Sequence, residues 1–454
     1  MAGRFLEPLR ELRGFPRQYW FLVTGTFVYV GAAALAFPYE GIFLRHNLGM
    51  SMSWIGLLFG VVPLAVMPVQ VWGGALTDRF GRRRMMILSA WMGVAWFVGF
   101  AFVRSIWQVA LLVAAESAFG WPLFQTASGA MIADLLPSAQ RAEAYSIYRA
   151  AMNLGVVVGP AVAGLALAAG VSFRGLFLSA AAGCLVFTLM TILGVRETRP
   201  RQGEGVNHAA PPGEARSREA GTADAPPAVH TAARPDAAAE APSGGGAQPG
   251  GYRLVLADRQ FLLFSLVAVL PVFCFGTYGA IFSVYITGTL HVPYGTWGLL
   301  LALNALVIAV LQYPLVRVLR RTDRLGLLAL ASVLVGLGLG LSAFVRGVWP
   351  LVGLVVLLSF GEMLLSPFAS AVVSDLAPEA VRGRYMGVWT VVWNGGASLG
   401  PAVAGVTMDA IGGRRTFMII LAVGLLGGAL FLALRKAIRR SGGGAAYRGG
   451  VATD

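Results

Sequence analysis

The chain has 454 residues, of which 57% are hydrophobic and only 12% are charged. Because soluble domains carry about 25% charged residues, this composition excludes an ordinary soluble globular protein and indicates one that lies in a lipid bilayer. The net charge of +14 falls mainly in the breaks between apolar runs. That placement argues against a nucleic-acid partner and for basic loops at a membrane surface.

Twelve apolar runs predict an all-α membrane protein, since each run is long enough to cross the ~30 Å hydrocarbon layer as a helix. In chain order, the predicted helices are 19–42, 52–74, 84–103, 107–131, 143–168, 173–194, 259–286, 294–317, 325–345, 349–372, 384–408 and 415–435. They are numbered below as spans one to twelve.

One connection, segment 197–258, is long and rich in Pro, Ala, Gly, Ser and charged residues. Such a composition cannot bury a core, so a disordered cytoplasmic linker is predicted here. A tether is the simpler interpretation of this linker, with a regulatory role as the alternative. The linker divides the chain into a six-helix N-terminal half (1–196) and a six-helix C-terminal half (259–440), and residues 441–454 form a cytoplasmic tail.

The distribution of basic residues predicts the orientation in the membrane. Most Arg and Lys residues lie on the side that carries the linker. The arginines expected on the opposite side are Arg45, Arg104, Arg174, Arg346, Arg414 and Arg415. By the positive-inside rule, the linker and both termini are predicted to face the cytoplasm, and the protein is expected in the cell (inner) membrane as a multi-pass protein.

The two predicted halves share an internal repeat. Residues 134–164 match residues 375–405 without a gap at a constant offset of 241, with Asp, Pro, Arg, Asn and Gly-Pro at corresponding positions. This match indicates a duplicated six-span unit. Repeats related by an axis along the membrane normal allow one half to rock against the other around a central site.

The predicted loop at 74–86 reads GALTDRFGRRRMM and holds one acid and four arginines between two apolar runs. Its order G-x-L-x-D-R-x-G-R-R resembles the loop between the second and third spans of the major facilitator superfamily. Asp78 is expected to pair with Arg82 one turn later, and the glycines would allow close approach of the helix ends. A positive-inside anchor alone would explain the arginines but not Asp78 or the glycines. The gating residues that the resemblance implies are Gly74, Asp78, Arg79, Gly81, Arg82 and Arg83.

Predicted span five contains a second motif, Gly155-x-x-x-Gly159-Pro160-x-x-x-Gly164. It resembles the motif of the twelve-span drug:proton antiporters within the same superfamily. Small residues one turn apart permit close helix packing, and Pro160 removes a backbone donor. The alternative is an ordinary tightly packed span, because Gly and Pro are common in membrane helices.

Charged residues inside the predicted spans are costly and therefore mark candidate functional sites. Three acids, Glu40, Glu116 and Glu362, and one base, Arg149, lie there. The resemblance places spans one, four, seven and ten around a central cavity, so all three acids are expected on cavity helices, with contact to the outer water as the alternative for Glu40. An acid in an apolar cavity suits reversible protonation, which makes these four residues proton-coupling candidates. The alternative for each acid is a structural polar group, paired for example with Arg149 or Asn153.

The antiporter resemblance fails at one place in span four. Drug exporters often carry Arg there in the order R-x-x-Q-G, whereas this chain has Glu116-Ser-Ala-Phe-Gly120. The sign of the charge is reversed, so the coupling mechanism of the family cannot be carried over directly. Arg149, in the neighbouring span, is the candidate for the missing positive charge.

Aromatic and amide side chains on the same helices and on spans five and eleven are predicted to line the cavity. They are Tyr39, Trp121, Phe124, Gln125, Asn153, Tyr278, Tyr285, Phe368, Trp393 and Asn394. Such a lining suits amphipathic or cationic organic molecules through apolar contact and cation–π attraction. For each residue alone, packing against lipid or a neighbouring helix is the simpler interpretation.

The sequence therefore predicts a secondary active transporter that works by alternating access, with proton-coupled efflux of small organic or drug-like compounds as the favoured function. Proton-coupled or facilitated uptake of a sugar or other metabolite is one alternative, and a non-transporting membrane receptor is another. The sequence shows no catalytic motif and no clustered metal ligands, so no enzyme activity, cofactor or metal is expected. The expected partners are the substrate, protons and the bilayer, and the expected functional unit is a monomer.

Overall fold

The computed structural model describes residues 15–198 and 251–440, and within these ranges it is helical, with no β-strand. Twelve spans are present. In chain order they are Arg17–Asn47, Met52–Phe80, Arg82–Phe102, Ile106–Leu135, Ser138–Ala168, Phe173–Gly194, Arg259–Gly276 continued by Ala280–Gly288, Tyr294–Leu319, Arg324–Gly340, Val348–Leu376, Arg382–Ile411 and Gly413–Arg440. This arrangement confirms the predicted all-α fold of twelve spans in two six-helix halves.

Eleven of the spans are long and apolar enough to cross a membrane by composition alone. The remaining one, span eleven at Arg382–Ile411, has 30 residues and is therefore about 45 Å long. Its hydropathy is lower because polar side chains such as Asn394 and Asp409 interrupt the apolar sequence. Its length and its place in the repeat identify it as a membrane span, which brings the number of spans in the described ranges to twelve.

The predicted loop at 74–86 is helical on both sides of a single turn. Span two continues to Phe80 and span three begins at Arg82, so that only Gly81 separates them. Gly81 has φ of +95°, a backbone conformation that is strained for any residue with a side chain. The predicted gating residues therefore lie on two helix ends rather than in a loop.

Three spans predicted as continuous helices are interrupted. Span one contains a 3₁₀ turn at Phe37–Tyr39, span four breaks at Gly120, and span seven breaks between Gly276 and Ala280. Pro38 in the first break and Pro122 just after the second lack the backbone N–H that would continue the helix. Interrupted spans expose backbone polar groups inside the bundle, which is typical of binding sites in transporters.

The two halves pack against each other through spans two and eleven and through spans five and eight. Small residues bring these helices into backbone contact: Gly56 and Gly60 of span two face the carbonyl oxygens of Pro401 and Ser398. At the other contact, a Cβ added at Gly164 would lie 2.6 Å from the Gly295 carbonyl oxygen. The glycines thus set the distance between the halves.

Among the described residues, the hydrogen bonds between the halves lie at one end of the bundle. We call the end where span one begins and span six ends the linker end, and the opposite end the far end. Hydrogen bonds between the halves lie at the far end, where Asp409 accepts from the Ser53 N–H at 2.7 Å and from the Met52 N–H at 3.1 Å. Toward the linker end, a Cβ added at Gly383 or Gly387 of span eleven would meet no described atom within 4 Å. Because the described contacts that join the halves lie toward the far end, we infer a cleft between the halves that is closed there and opens at the linker end.

Most of the predicted linker, and the whole of the predicted tail at 441–454, fall outside the described residues. Within the predicted linker, Gly251–Ala257 forms a short helix directly before span seven. Glu197 and Thr198 make side-chain contacts with the N-terminal half. The described parts of the two halves thus extend into the predicted linker from both sides.

Candidate functional site

The charged turn between spans two and three carries an ion-pair network at the linker end. Arg82 pairs with Asp78 at 3.3 Å, as the sequence predicted, and also with Asp134 of span four at 3.0 Å. Asp78 is 75% exposed. Arg83 donates to the Ile192 carbonyl of span six at 2.8 Å. Arg79 lies over the Phe80 ring at 5.5 Å. Gly74 lies within span two. The turn therefore joins spans two, three, four and six.

Glu197 is a member of this network that sequence reasoning missed. Its carboxylate accepts from the backbone N–H groups of Arg82 at 2.9 Å and Arg83 at 3.2 Å, so it caps the N-terminus of span three. A Cβ at Gly81 would collide with the same carboxylate. The neighbouring Thr198 hydroxyl donates to Asp134 at 3.0 Å. The available signal was an acid at the end of span six, which falls where a helix N-terminus can accept a negative charge.

The C-terminal half carries a related set of ion pairs. Arg324 pairs with Asp375, the residue that matches Asp134 in the repeat. Arg435 of span twelve pairs with Asp323 at 2.6 Å, and Asp323 also accepts from the Gly326 N–H at 2.9 Å. Each half is thus tied by ion pairs at its own linker end.

The antiporter-like motif of span five splits between two contacts. Gly155 and Gly159 face span one, where an added Cβ would lie 2.9 Å from the Gly31 nitrogen and 2.6 Å from the Gly31 oxygen, respectively. Gly164 faces Gly295 of span eight, and the Pro160 carbonyl lies against Gly298 of the same span. The motif therefore packs span five within its own half and against the other half at once.

Glu40 is buried within the N-terminal half and does not reach the outer water. It is 1% exposed and lies just after the break in span one. Its Oε1 accepts from the indole N–H of Trp96, in span three, at 2.6 Å. Its Oε2 has no hydrogen-bond partner among the described residues. Glu40 points into the interior of the N-terminal half.

Glu116 also points into the N-terminal half. Its Oε1 accepts from the Trp121 backbone N–H at 3.0 Å, across the break in span four, and its Oε2 is buried without a partner within the described ranges. Tyr29 and Cys184, which belong to spans one and six, lie close enough to interact electrostatically with it, as does Glu40. The two acids thus lie near each other between spans one, three, four and six.

Arg149 does not neutralise either acid. Its side chain is exposed, and no ion pair to Glu40 or Glu116 is present among the described residues. The predicted pairing of Glu116 with Arg149 is therefore absent from this conformation, because Arg149 lies on a different face of span five from the buried Tyr148. Asn153, one turn along the helix from Arg149, is likewise exposed.

Glu362 is half-buried in span ten of the C-terminal half. It interacts with Asn304 of span eight and lies within electrostatic range of Tyr278, at the break in span seven. Asn304 is buried and donates to the Ser359 hydroxyl at 2.8 Å. The Tyr278 hydroxyl is buried and has no hydrogen-bond partner in the described part of the chain. Sequence reasoning missed Asn304, because a lone Asn in an apolar span gives no signal of its neighbours.

Four of the predicted lining residues are packed inside one half or at the closed end. Phe124 is fully buried against Tyr29, and Tyr285 is fully buried and stacks on Phe417 with ring centroids 4.3 Å apart. Phe368 is 3% exposed in the core of the C-terminal half. Tyr39 donates to the Tyr294 carbonyl at 3.2 Å, so it helps close the far end. These side chains do not line the open cleft in this conformation.

The other predicted lining residues remain accessible. Gln125, Asn153 and Asn394 are exposed, whereas Trp121, Tyr278 and Trp393 are half-buried. In the C-terminal half, Phe275 links Tyr278 and Trp393, with centroid distances of 6.5 Å to each. An aromatic wall therefore runs from the Glu362 cluster toward span eleven.

Two related six-span halves define the architecture of a polytopic membrane transporter. The Major Facilitator Superfamily profile matches residues 22–291 and 264–449. The chain belongs to this superfamily, as the loop at 74–86 and the repeat predicted.

Relatives match along most of the chain at low identity. The uncharacterised MFS-type transporter YqjV of Bacillus subtilis is 25% identical over 413 residues, which is 90% of this chain and 91% of YqjV. The Na⁺, Li⁺, K⁺/H⁺ antiporter of Planococcus maritimus is 24% identical over 417 residues, 88% of this chain and 91% of the relative. Multidrug resistance protein MdtH of Yersinia enterocolitica is 28% identical over 140 residues, 31% of this chain and 35% of MdtH.

Among solved structures, the nucleoside transporter NupG (D323A mutant) superposes with a TM-score of 0.72. The match covers 92% of this chain and 99% of NupG at 12% sequence identity. At this identity, the likeness shows the fold alone.

Proposed function

We propose that the protein is a secondary active transporter that exports small organic compounds in exchange for protons. The observation that carries the proposal is that the described contacts between the two related halves lie toward the far end, which fits a cleft open at the linker end. The basic loops support a cytoplasmic location of the linker end. In this orientation, the conformation is open to the cytoplasm and ready to receive a compound for export.

Proton coupling is supported by the surroundings of the acids. Glu40 and Glu116 lie together inside the N-terminal half without a basic partner among the described residues. Two neighbouring carboxylates in a low-dielectric interior disfavour double ionisation, so a site of this kind holds and releases protons as its access to water changes. The names of two relatives, a cation/proton antiporter and a multidrug resistance protein, agree with exchange and with drug-like substrates.

Purified protein in proteoliposomes with an internal pH dye tests the proposal. Addition of a transported compound from a panel of amphipathic drugs should move protons in the direction opposite to the compound. Glu116→Gln mimics the protonated carboxyl and keeps an oxygen for the Trp121 N–H, so it should abolish proton-driven flux while compound exchange continues. The exposed Glu379 supplies the control, because Glu379→Gln should behave as the unmodified protein.

Other outcomes would favour the alternatives. Proton movement in the same direction as the compound would indicate uptake by symport. Compound flux without proton movement would indicate facilitated transport, and compound binding without flux would indicate a receptor. Normal gradient-driven transport by Glu116→Gln would exclude Glu116 as a coupling residue.

A further inference from the structure

The contact between spans two and eleven ends, at the far end, in hydrogen bonds to a carboxylate. Asp409 of span eleven accepts from the Met52 N–H at 3.1 Å and from the Ser53 N–H at 2.7 Å. The Ser53 hydroxyl donates to the same carboxylate at 2.6 Å. No described Arg or Lys forms an ion pair with Asp409. The carboxylate of one half is therefore held by donors of the other half.

These donors lie at a helix N-terminus, where a carboxylate is an effective partner. The first backbone N–H groups of a helix have no acceptor within the helix, and a negative charge there interacts favourably with the helix dipole. In span two, the Ser51 hydroxyl accepts from the Trp54 N–H at 3.3 Å, and Asp409 accepts from the two N–H groups before it. The N-terminus of span two is thus capped jointly by both halves.

The repeat contains the same helix contact without the carboxylate. Span eleven turns one face toward span two, and the residues on this face are four positions apart: Pro401, Gly405 and Asp409. At the constant offset of 241, they correspond to residues of span five that face span eight: Pro160, Gly164 and Ala168. An alanine therefore stands in span five where span eleven has the acid.

The contact between spans five and eight is correspondingly less polar. A Cβ added at Gly295 would lie 3.0 Å from the Ala168 Cβ, so Ala168 packs on the first turn of span eight. Neither Ala168 nor Pro293, which precedes this helix, has a side-chain acceptor for its first N–H groups. Among the described residues, the hydrogen bond that joins the halves here is neutral and runs from the Tyr39 hydroxyl to the Tyr294 carbonyl at 3.2 Å.

The bonds of Asp409 are strong enough to matter and accessible enough to break. Asp409 is exposed, so water can hydrate its carboxylate and the freed N–H groups when the spans separate. A buried ion pair would leave its charges without solvent on separation. Because hydrogen bonds to a charged group are stronger than neutral ones, the contact still favours the closed arrangement.

We propose that Asp409 is a latch, a contact that must break before the far end can open, and that the two contacts between the halves hold the far end closed unequally. Spans two and eleven are held by charge-assisted hydrogen bonds. Spans five and eight are held by the packing of small residues and one neutral hydrogen bond. The latch acts whichever compound or ion is transported, so the inference goes beyond the proposed function.

The reaction rate of a reporter cysteine measures how often the far end opens. Ala402 is 7% exposed and faces Gly60 of span two. A cysteine introduced by Ala402→Cys should therefore react with a water-soluble thiol reagent only when spans two and eleven separate, and its rate in purified protein should scale with the open population. The native Cys184 and Cys274 are buried and should react little.

Removal of the latch should increase this rate. In the Ala402→Cys parent, Asp409→Ala should raise the rate about tenfold or more, as expected for loss of hydrogen bonds to a charged group. Asp409→Asn keeps one acceptor oxygen and should give a smaller increase. Thr407→Ala is the matched control on the same turn, because the Thr407 hydroxyl donates to carbonyls of its own helix, those of Val403 and Ala404. It should leave the rate unchanged, and melting temperatures verify that each variant is folded.

A double-mutant cycle tests whether Ser53 acts through Asp409. Ser53→Ala removes the hydroxyl and leaves both N–H bonds, so alone it should raise the rate less than Asp409→Ala does. In the Asp409→Ala background it should add nothing, because its acceptor is already gone.

The latch is overturned if Asp409→Ala reacts at the rate of the parent, or if the two substitutions act additively. Should Asp409→Ala fail to fold, parent-like rates for both Asp409→Asn and Ser53→Ala would overturn it equally. None of these measurements uses a pH gradient or a transported compound. The proposed export function could therefore fail in proteoliposomes while the latch holds, and the reverse is equally observable.

Discussion

The buried acids show why position alone does not define a coupling residue. Glu40 and Glu116 both lie next to a helix break, and each has one oxygen fixed by an N–H and one oxygen without a partner. This arrangement holds the side chain in place whether or not the carboxyl is protonated. The free oxygen is where a proton can be added or removed without breaking the fixing hydrogen bond.

Gly81 is the residue of the gating turn for which the structure gives the clearest expectation. Its φ of +95° and the adjacent Glu197 carboxylate leave no room for a side chain. Gly81→Ala should destabilise the protein by about 1–3 kcal/mol, as expected for a strained backbone. Thermal melting of the purified protein in detergent would measure the loss.

A matched glycine provides the control for this substitution. Gly387 is exposed in the second turn of span eleven, and an added Cβ would meet no described atom within 4 Å. Gly387→Ala should leave the melting temperature unchanged or raise it, because Ala favours a helix by about 1 kcal/mol over Gly. Equal melting temperatures for the two variants would contradict the role assigned to the Gly81 turn.

At the scale of helices, the twelve spans were predictable and their breaks were not. Apolar runs are a local property of the sequence, so the observed helix ends lie within a turn or two of the predicted ones. The breaks at Phe37–Tyr39 and Gly120 have nearby prolines, but Pro160 and Pro401 lie inside helices that continue past them. Whether a proline breaks a helix depends on the neighbouring helices that stabilise the freed groups, and this information is not local.

The same limit applies to the candidate site. The sequence identified Glu40, Glu116 and Glu362 because a charge in an apolar run is conspicuous. It could not assign their orientation, because pairing with Trp96, Trp121 or Asn304 depends on how distant spans pack. Glu197 was missed for a related reason, since its partner at the start of span three is more than 100 residues away.

The packing of spans two and eleven also leads to a prediction about gating. These helices run antiparallel, with Gly56 facing Pro401 and Gly60 facing Ser398. Asp78 lies 18 residues after Gly60, which is five helical turns and therefore on the same face. Continued in the same register, this face brings Asp78 to the first turn of span eleven, near Gly383, once the linker end closes.

Asp78→Asn should therefore weaken closure of the linker end. The positively polarised N-terminus of span eleven would attract the aspartate charge, and the amide lacks that charge. We expect lower turnover in proteoliposomes with normal folding and membrane insertion. Turnover equal to that of the unmodified protein would rule out this gating role.

At the scale of the whole molecule, the fold is two copies of one unit that meet at the far end. The repeat between 134–164 and 375–405 made the duplication visible in the sequence. The sequence does not reveal which end of the bundle is open. The same glycine-rich helix faces are present whether an end is open or closed, and only the distance between them changes. Transport requires that the far end open when the linker end closes.

The measurement that tests this central claim most directly is a pair of distances by spin-label spectroscopy. One pair of labels, at Arg84 and Glu379, spans the linker end, and the other, at Arg174 and Arg346, spans the far end; all four side chains are exposed. The native Cys184 and Cys274 are buried, so they should react little with the labelling reagent.

On a change of pH and on addition of a transported compound, the linker-end distance should shorten while the far-end distance lengthens. Opposite changes of the two distances would support alternating access around the cleft. Two distances that stay fixed under every condition, or that lengthen and shorten together, would contradict the account.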